Sequence, residues 1–212
     1  MQVKMLTLGS FMTNCYIIHG ENSKDCAVID PGSDINTITQ AIREDGLTVK
    51  AIILTHAHFD HTGALDELRD LTGAPVYVGE GEVYNRKSSD LYAIDPFNPD
   101  FNLVKDGDVI SIDGLSLEVI ETPGHTKGSI TLKGDDVLFT GDTLFKDSMG
   151  RTDLLGGDEL AIYRSLVRLA ELPGDYKVFA GHMGPTTLEL ERKYNYFIHY
   201  GRKLLKSLEA QQ

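Results

Sequence analysis

Residues 55–61 read Thr-His-Ala-His-Phe-Asp-His, directly after the continuous apolar run Ala51–Leu54. Such a run is the signature of a strand buried on both faces, so three imidazoles and a carboxylate leave a buried strand end within six residues. In extended backbone alternate side chains share a face, which lets His56, His58 and Asp60 converge. His61 breaks the alternation and suits a second, adjacent cation. Imidazole and carboxylate are borderline-to-hard ligands that fit zinc, iron or manganese. A solitary histidine reads as packing or surface; this density reads as metal binding.

Three later turns repeat the design. Pro123-Gly124 follows a strand ending at Glu121 and aims His125 inward; Gly141-Asp142 follows Val137–Phe139; Gly181-His182 follows Val178–Phe179. Loops at the C-terminal ends of strands are where layered α/β proteins assemble sites. The candidate ligands are therefore His56, His58, Asp60, His61, His125, Asp142 and His182, too many for one tetrahedral zinc. The natural partition places His56, His58 and His125 on one ion, Asp60, His61 and His182 on the other, and Asp142 between them. Two divalent ions, zinc expected and iron or manganese compatible, would lower the pKa of a shared water to about 7 and polarise a carbonyl. Hydrolysis by a metal-bridging hydroxide, with Asp60 and Asp142 as the catalytic carboxylates, is the simplest chemistry such a set supports, with no serine or cysteine nucleophile. His19 and His199 fall outside the pattern and read as surface or packing.

The rest of the chain supplies a scaffold. Short strands are expected at Val3–Leu8, Asn14–His19, Cys26–Ile29, Val76–Val78, Val109–Ile112, Ser116–Glu121, Ser129–Leu132, Val137–Thr140 and Val178–Ala180. Helices are expected over Ile35–Glu44 (capped by Ser33 or Asp34), Ala64–Leu71, Glu159–Leu172 and Thr187 to about Leu208. Tyr84–Asn102 carries aromatics and prolines without a period and reads as an irregular excursion, with a lid over the site left open. This rhythm predicts a layered α/β arrangement, two sheets between helices. At 212 residues and 41% hydrophobic content, one core is feasible, and a single domain over 1–212 is expected. The formal net charge of −12 argues against nucleic acid and anionic membrane surfaces as partners. Cys15 and Cys26 read as buried free thiols. With neither a membrane-length apolar run nor a leader pattern, a cytosolic protein is expected. Tyr194, Tyr196, Phe197 and Tyr200 read as core packing or as a homodimer face.

The motifs THAHFDH (55–61), TPGHTKGS (122–129), TGDTLF (140–145) and AGHMGPTT (180–187) resemble the metallo-β-lactamase superfamily, and within it the short bacterial glyoxalase II (hydroxyacylglutathione hydrolase) group. The resemblance implies a four-layer αββα sandwich, the ligand partition above, and hydrolysis of small thioesters such as S-lactoylglutathione. Departures from relatives narrow it. The best-known zinc β-lactamases carry cysteine where this chain has Asp142, which disfavours antibiotic hydrolysis; flavodiiron-type reductases carry glutamate in place of His58. Where the glyoxalases have a Gly-Lys-x-Tyr-like element, this chain has Gly150-Arg151-Thr152-Asp153. Arg151, with Lys146, is the candidate cation for a substrate carboxylate, and a structural salt bridge is its alternative. Competing readings are a mononuclear iron persulfide dioxygenase using His56, His125 and Asp142, and a lactone or ester hydrolase of the same superfamily.

Overall fold

A computed structural model describes residues 1–84 and 101–211. The first sheet runs in chain order through β1 (Gln2–Leu8), β2 (Thr13–His19), β3 (Asp25–Ile29), β4 (Thr48–Leu54), β5 (Val76–Gly79) and β6 (Phe101–Val104). Strands β1, β2 and β3 pair antiparallel, then β3 to β6 pair parallel. The parallel connections carry α1 (Ile35–Glu44), α2 (Phe59–Thr62) and α3 (Leu65–Thr72). The second sheet contains β7 (Val109–Ile112), β8 (Leu115–Glu121), β9 (Ile130–Lys133) and β10 (Val137–Gly141). A small ribbon, β11 (Leu144–Phe145) with β12 (Ser148–Met149), and α4 (Glu159–Ala170) then lead to β13 (Lys177–Ala180) and β14 (Thr186–Thr187). Helices α5 (Leu188–Tyr194) and α6 (Tyr196–Glu209) end the chain.

The apolar runs are continuous because both faces of each central strand are covered. Cys15 and Ile17 of β2, Val28 of β3 and Ile52 and Leu54 of β4 meet Ile38 and Leu68 of the first helical layer. Their neighbours Tyr16, Ile18, Ile29 and Ile53 turn to the opposite face and meet Val119, Ile130, Leu132 and Phe139 of the second sheet. Ile120, Leu138 and Val178 point outward from that sheet onto Leu166, Leu169 and Ile198. Period-two alternation between three apolar layers thus produces the αββα sandwich expected from the sequence. Cys15 and Cys26 are free and fully buried.

Several boundaries differ from expectation. Phe101–Asn102, read as the end of the irregular excursion, begins β6, where Phe101 pairs with Val76; four residues are too few to show a period. Residues 85–100 of that excursion, and so any lid, lie outside the described residues. The single C-terminal helix is two. Asn195 ends α5 with its φ at −69° and ψ at 113°, and its side chain accepts from the amides of Phe197 and Ile198 to cap α6; asparagine is a preferred N-cap for this reason. The aromatic face divides accordingly: Phe197 packs on the core, whereas Tyr194, Tyr196 and Tyr200 stay exposed, contrary to core packing. Among the described residues no helix is long and apolar enough to cross a membrane.

Candidate metal centre

The seven expected ligands stand beyond the C-terminal ends of four strands: His56, His58, Asp60 and His61 after β4, His125 after β8, Asp142 after β10, and His182 after β13. Their donor atoms fall into three groups, each within 4.8 Å of one another: His56, His58 and His125; His56, His61 and Asp142; and Asp60, His61 and His182. Asp142 lies between the outer two, with Oδ2 3.4 Å from His125 Nε2 and 3.5 Å from His182 Nε2, and Oδ1 3.4 Å from His61 Nε2. One detail of the alternation argument is overturned. His58 is the last extended residue, and α2 begins at Phe59, so Asp60 does not share a side with His56 and His58. Helical backbone carries it to His61 and His182 instead, with Oδ2 3.3 Å from His182 Nε2.

Close backbone approach makes the gathering possible. A Cβ on Gly181 would lie 2.2 Å from Asp142 Oδ1 and 2.6 Å from His61 Cε1, and one on Gly150 would lie 1.8 Å from the Asp142 carbonyl oxygen. Each position excludes any side chain. Arg151 O accepts from His125 Nδ1 at 2.7 Å, which leaves Nε2 facing the centre. Asp30 performs the same service for His61: Oδ2 accepts from His61 Nδ1 at 2.9 Å and from Thr55 Oγ1 at 2.7 Å, while Oδ1 accepts from the Thr55 amide at 2.8 Å.

The electrostatics divide the site. Burial, reinforced by the surrounding imidazoles, pushes His56 well below the usual histidine value; burial and then His125 bring His58 down to about 4. Burial also lowers His125, with Asp142 opposing. At the other end burial works the same way but loses: Asp142 and Asp30 raise His61 well above its ordinary value, and Asp60 and Asp142 raise His182. Burial opposes ionisation of Asp142, yet His61, His125 and His182 outweigh it and hold the carboxyl well below the usual carboxylate range.

The donor set fits divalent metal. His56 Nε2, His61 Nε2 and Asp142 Oδ1 are buried without a hydrogen-bond partner, a costly condition unless another ligand satisfies them. Neutral imidazoles with intervening carboxylates suit a pair of cations and, through them, water activation. Neither His19 nor His199 joins a metal-holding group among the described residues; they bond Gly20 O and Lys193 O. Lys146 is exposed in the turn between β11 and β12. Arg151 is also exposed, its fork closed on Asp153 by two bonds of 2.7 Å.

Sequence reasoning passed over three supports. Asp30 closes β3, and an aspartate ending an apolar strand before Pro-Gly is the available signal. Glu82 is fully buried; it accepts from the Thr126 hydroxyl beside His125, bracing the His125 loop from the segment after β5. Thr13 and Asn14 begin β2 and reach Asp60 and the His182 loop. The last two cases carry no local sequence mark.

Two mixed sheets between helices, with histidine and aspartate loops gathered at one edge, define a metal-dependent hydrolase scaffold. The chain belongs to the metallo-β-lactamase superfamily, whose family model matches residues 8–182, and is a metallo-hydrolase of it. It is 35% identical over 209 residues to "Probable metallo-hydrolase YqgX" of Bacillus subtilis, covering 94% of this chain and 98% of that one. It is 32% identical over 210 residues to "Hydroxyacylglutathione hydrolase GloC" of Haemophilus influenzae, covering 94% and 99%. Among solved structures it resembles BLEG-1 B3 metallo-β-lactamase (TM-score 0.83, 33% identity, 93% and 99% covered) and TTHA1623 in a di-iron-bound form (0.81, 33%, 92% and 100%). ETHE1 from Myxococcus xanthus follows at 0.79 and 30%, covering 96% and 91%.

Proposed function

We propose that this protein hydrolyses small thioesters, S-2-hydroxyacylglutathiones such as S-lactoylglutathione foremost, at a pair of divalent metals held by the seven residues above. One observation carries the reading: ligand-type atoms from four strand ends gather around the Asp142 carboxylate, and those of His56, His61 and Asp142 itself are buried without a hydrogen-bond partner. The similarity to a relative named hydroxyacylglutathione hydrolase supports the substrate class. Zinc is the proposed metal, and the similarity to a di-iron form makes iron the competitor.

Bound metals supply an activated water and a Lewis-acid contact for the thioester carbonyl. In the reaction water oxygen bonds to the acyl carbon, the C–S bond breaks, and a carboxylic acid and a thiol leave. Asp142 sits between the two ligand groups and keeps its charge, so it orients the attacking water. Asp60, the more exposed carboxylate, takes the proton that the water gives up and passes it to the departing sulfur. A cavity of about 230 Å³ lined by Leu8, Phe11, Thr13, Phe59 and Asp60 adjoins this edge, and Phe11 meets Phe59 edge to face at 5.0 Å. Lys146 and Arg151 are proposed to receive a substrate carboxylate, which must displace Asp153 from the guanidinium.

Purified protein loaded with zinc should hydrolyse S-lactoylglutathione and lose that activity on chelation. Turnover of a β-lactam or a lactone, with none across several thioesters, would overturn the substrate assignment. One rival reading is a mononuclear iron persulfide dioxygenase. Its triad would be His56, His125 and Asp142, of which Asp142 Oδ2 lies 3.4 Å from His125 Nε2. Oxygen consumption with glutathione persulfide by protein holding one iron per chain would establish it instead.

A further inference from the structure

Two neighbours at the start of β2 brace one end of the metal centre and take no part in the chemistry above. Thr13 Oγ1 donates to Asp60 Oδ2 at 3.1 Å. Asn14 is buried; its Nδ2 donates to Ala180 O at 3.0 Å and to Met183 O at 2.8 Å, the carbonyls that flank Gly181 and His182. The Asn14 amide donates to Gly181 O at 2.7 Å, and Asn14 Oδ1 accepts from Thr7 Oγ1 at 2.9 Å, which fixes the orientation of the side-chain amide. The Tyr16 hydroxyl also donates to Ala180 O.

The bonds from Asn14 and Tyr16 to residues 180–183 cross between the sheets, since β2 lies in the first and β13 leads to His182 from the second. The backbone they hold is not relaxed. Met183, a non-glycine residue, sits at φ 67°, a left-handed conformation that persists only where surroundings impose it. No comparable bond runs from Thr13 or Asn14 to His56, His58 or His125 among the described hydrogen bonds.

We propose that Thr13 and Asn14 are positioning residues for the metal position formed by Asp60, His61 and His182, and that the three-histidine position does not depend on them. Groups that orient metal ligands are typically worth 10–100-fold in metal affinity. The inference rests on the two-metal reading above and is tested by metal binding rather than by turnover.

Zinc is titrated into the metal-free, full-length protein against a chromophoric chelator. Wild type should bind two zinc ions per chain. Thr13→Val and Asn14→Ala should keep one at wild-type affinity and weaken the other by about tenfold or more, and Thr13→Ser should restore it. Thr13→Val should add nothing to His182→Ala but its full effect to His58→Ala. The Thr13→Val and Thr13→Ser pair, followed by Tm, decides the matter should Asn14→Ala fail to fold. Unchanged affinities in Thr13→Val, or equal loss at both positions, would overturn the proposal. A wild type that binds fewer than two zinc ions would overturn the two-metal reading, and this inference with it.

Discussion

The two ends of the metal centre are made of different materials. His56, His58 and His125 form a wall of buried imidazoles, each held below the ordinary histidine value by burial. At the other end Asp60 and Asp142 face His61 and His182, both held above it, and the side chains of Asp60 and His182 keep 15% and 23% of their exposure. Neutral imidazole is ready to ligate, since a bound proton must leave before metal can enter. The first end is therefore a dry socket, and the second is a charged mouth open to solvent and substrate. The supports differ too: Glu82 bonds Thr126 behind the socket, Thr13 and Asn14 hold the mouth, and Asp30 bonds His61 directly but His56 only through Thr55.

Asp142 is the piece both ends share, so its loss should have the largest effect. Asp142→Ala leaves His61, His125 and His182 without their common carboxylate. Turnover of S-lactoylglutathione should fall by roughly a thousandfold or more, several kcal/mol of transition-state stabilisation. Steady-state kinetics on zinc-loaded protein checks this, and a loss below tenfold would show that the ends work separately.

The socket can be probed through Glu82. Burial lifts its carboxyl from the ordinary 4.5 to about 7, against the Thr126 hydroxyl and the Gly128 and Ala57 amides. Between those pH values the folded chain holds a proton that the unfolded chain has released. Stability from this group is thus complete below about pH 4.5 and falls as pH rises to about 7, by on the order of 3 kcal/mol. Glu82→Gln cannot ionise and should lack this slope. Urea unfolding in chelator at pH 5 and pH 8 measures it: the difference between wild type and variant should shift toward the variant at the higher pH. Equal slopes would place the buried proton elsewhere.

That contrast also explains what the sequence disclosed. The candidate ligands stood out because each follows a short apolar strand and is chemically conspicuous; the fold was legible because strands covered on both faces read as unbroken apolar runs, as in Ala51–Leu54. Asp60 was misplaced on geometry, since the four-residue α2 is too short to announce itself. Glu82 and Asn14 were invisible for another reason. Their partners, Thr126 and Ala180, lie 44 and 166 residues away, and nothing local marks a residue whose work is a long-range hydrogen bond. Phe101–Val104 was lost because four residues beside an irregular stretch carry no period.

The mouth depends on Asp30 through His61. Asp30→Asn replaces one acceptor oxygen with a donor, so it cannot accept from the Thr55 amide, the Thr55 hydroxyl and His61 Nδ1 together. Affinity for the second zinc should drop by about 10–100-fold and that for the first by less, since Asp30 reaches His56 only through the Thr55 hydroxyl. Chelator competition reads both constants, and a parallel fall in the two would erase the distinction between the ends.

The smallest effect is expected at the outer rim, where Arg151 and Asp153 pair in full solvent. An ion pair in full solvent adds little to stability, so neither Arg151→Ala nor Asp153→Asn should move Tm by much. Their kinetic effects should be opposite in sign. Asp153→Asn removes the carboxylate that occupies the guanidinium fork, and bidentate pairing would then be open to a substrate carboxylate; KM for S-lactoylglutathione should fall by about twofold to fivefold. Arg151→Ala should raise KM for that substrate and leave a thioester without a carboxylate untouched. Parallel changes on charged and uncharged thioesters would mean that Arg151 serves the mouth only through its carbonyl, as the hydrogen-bond acceptor that orients His125.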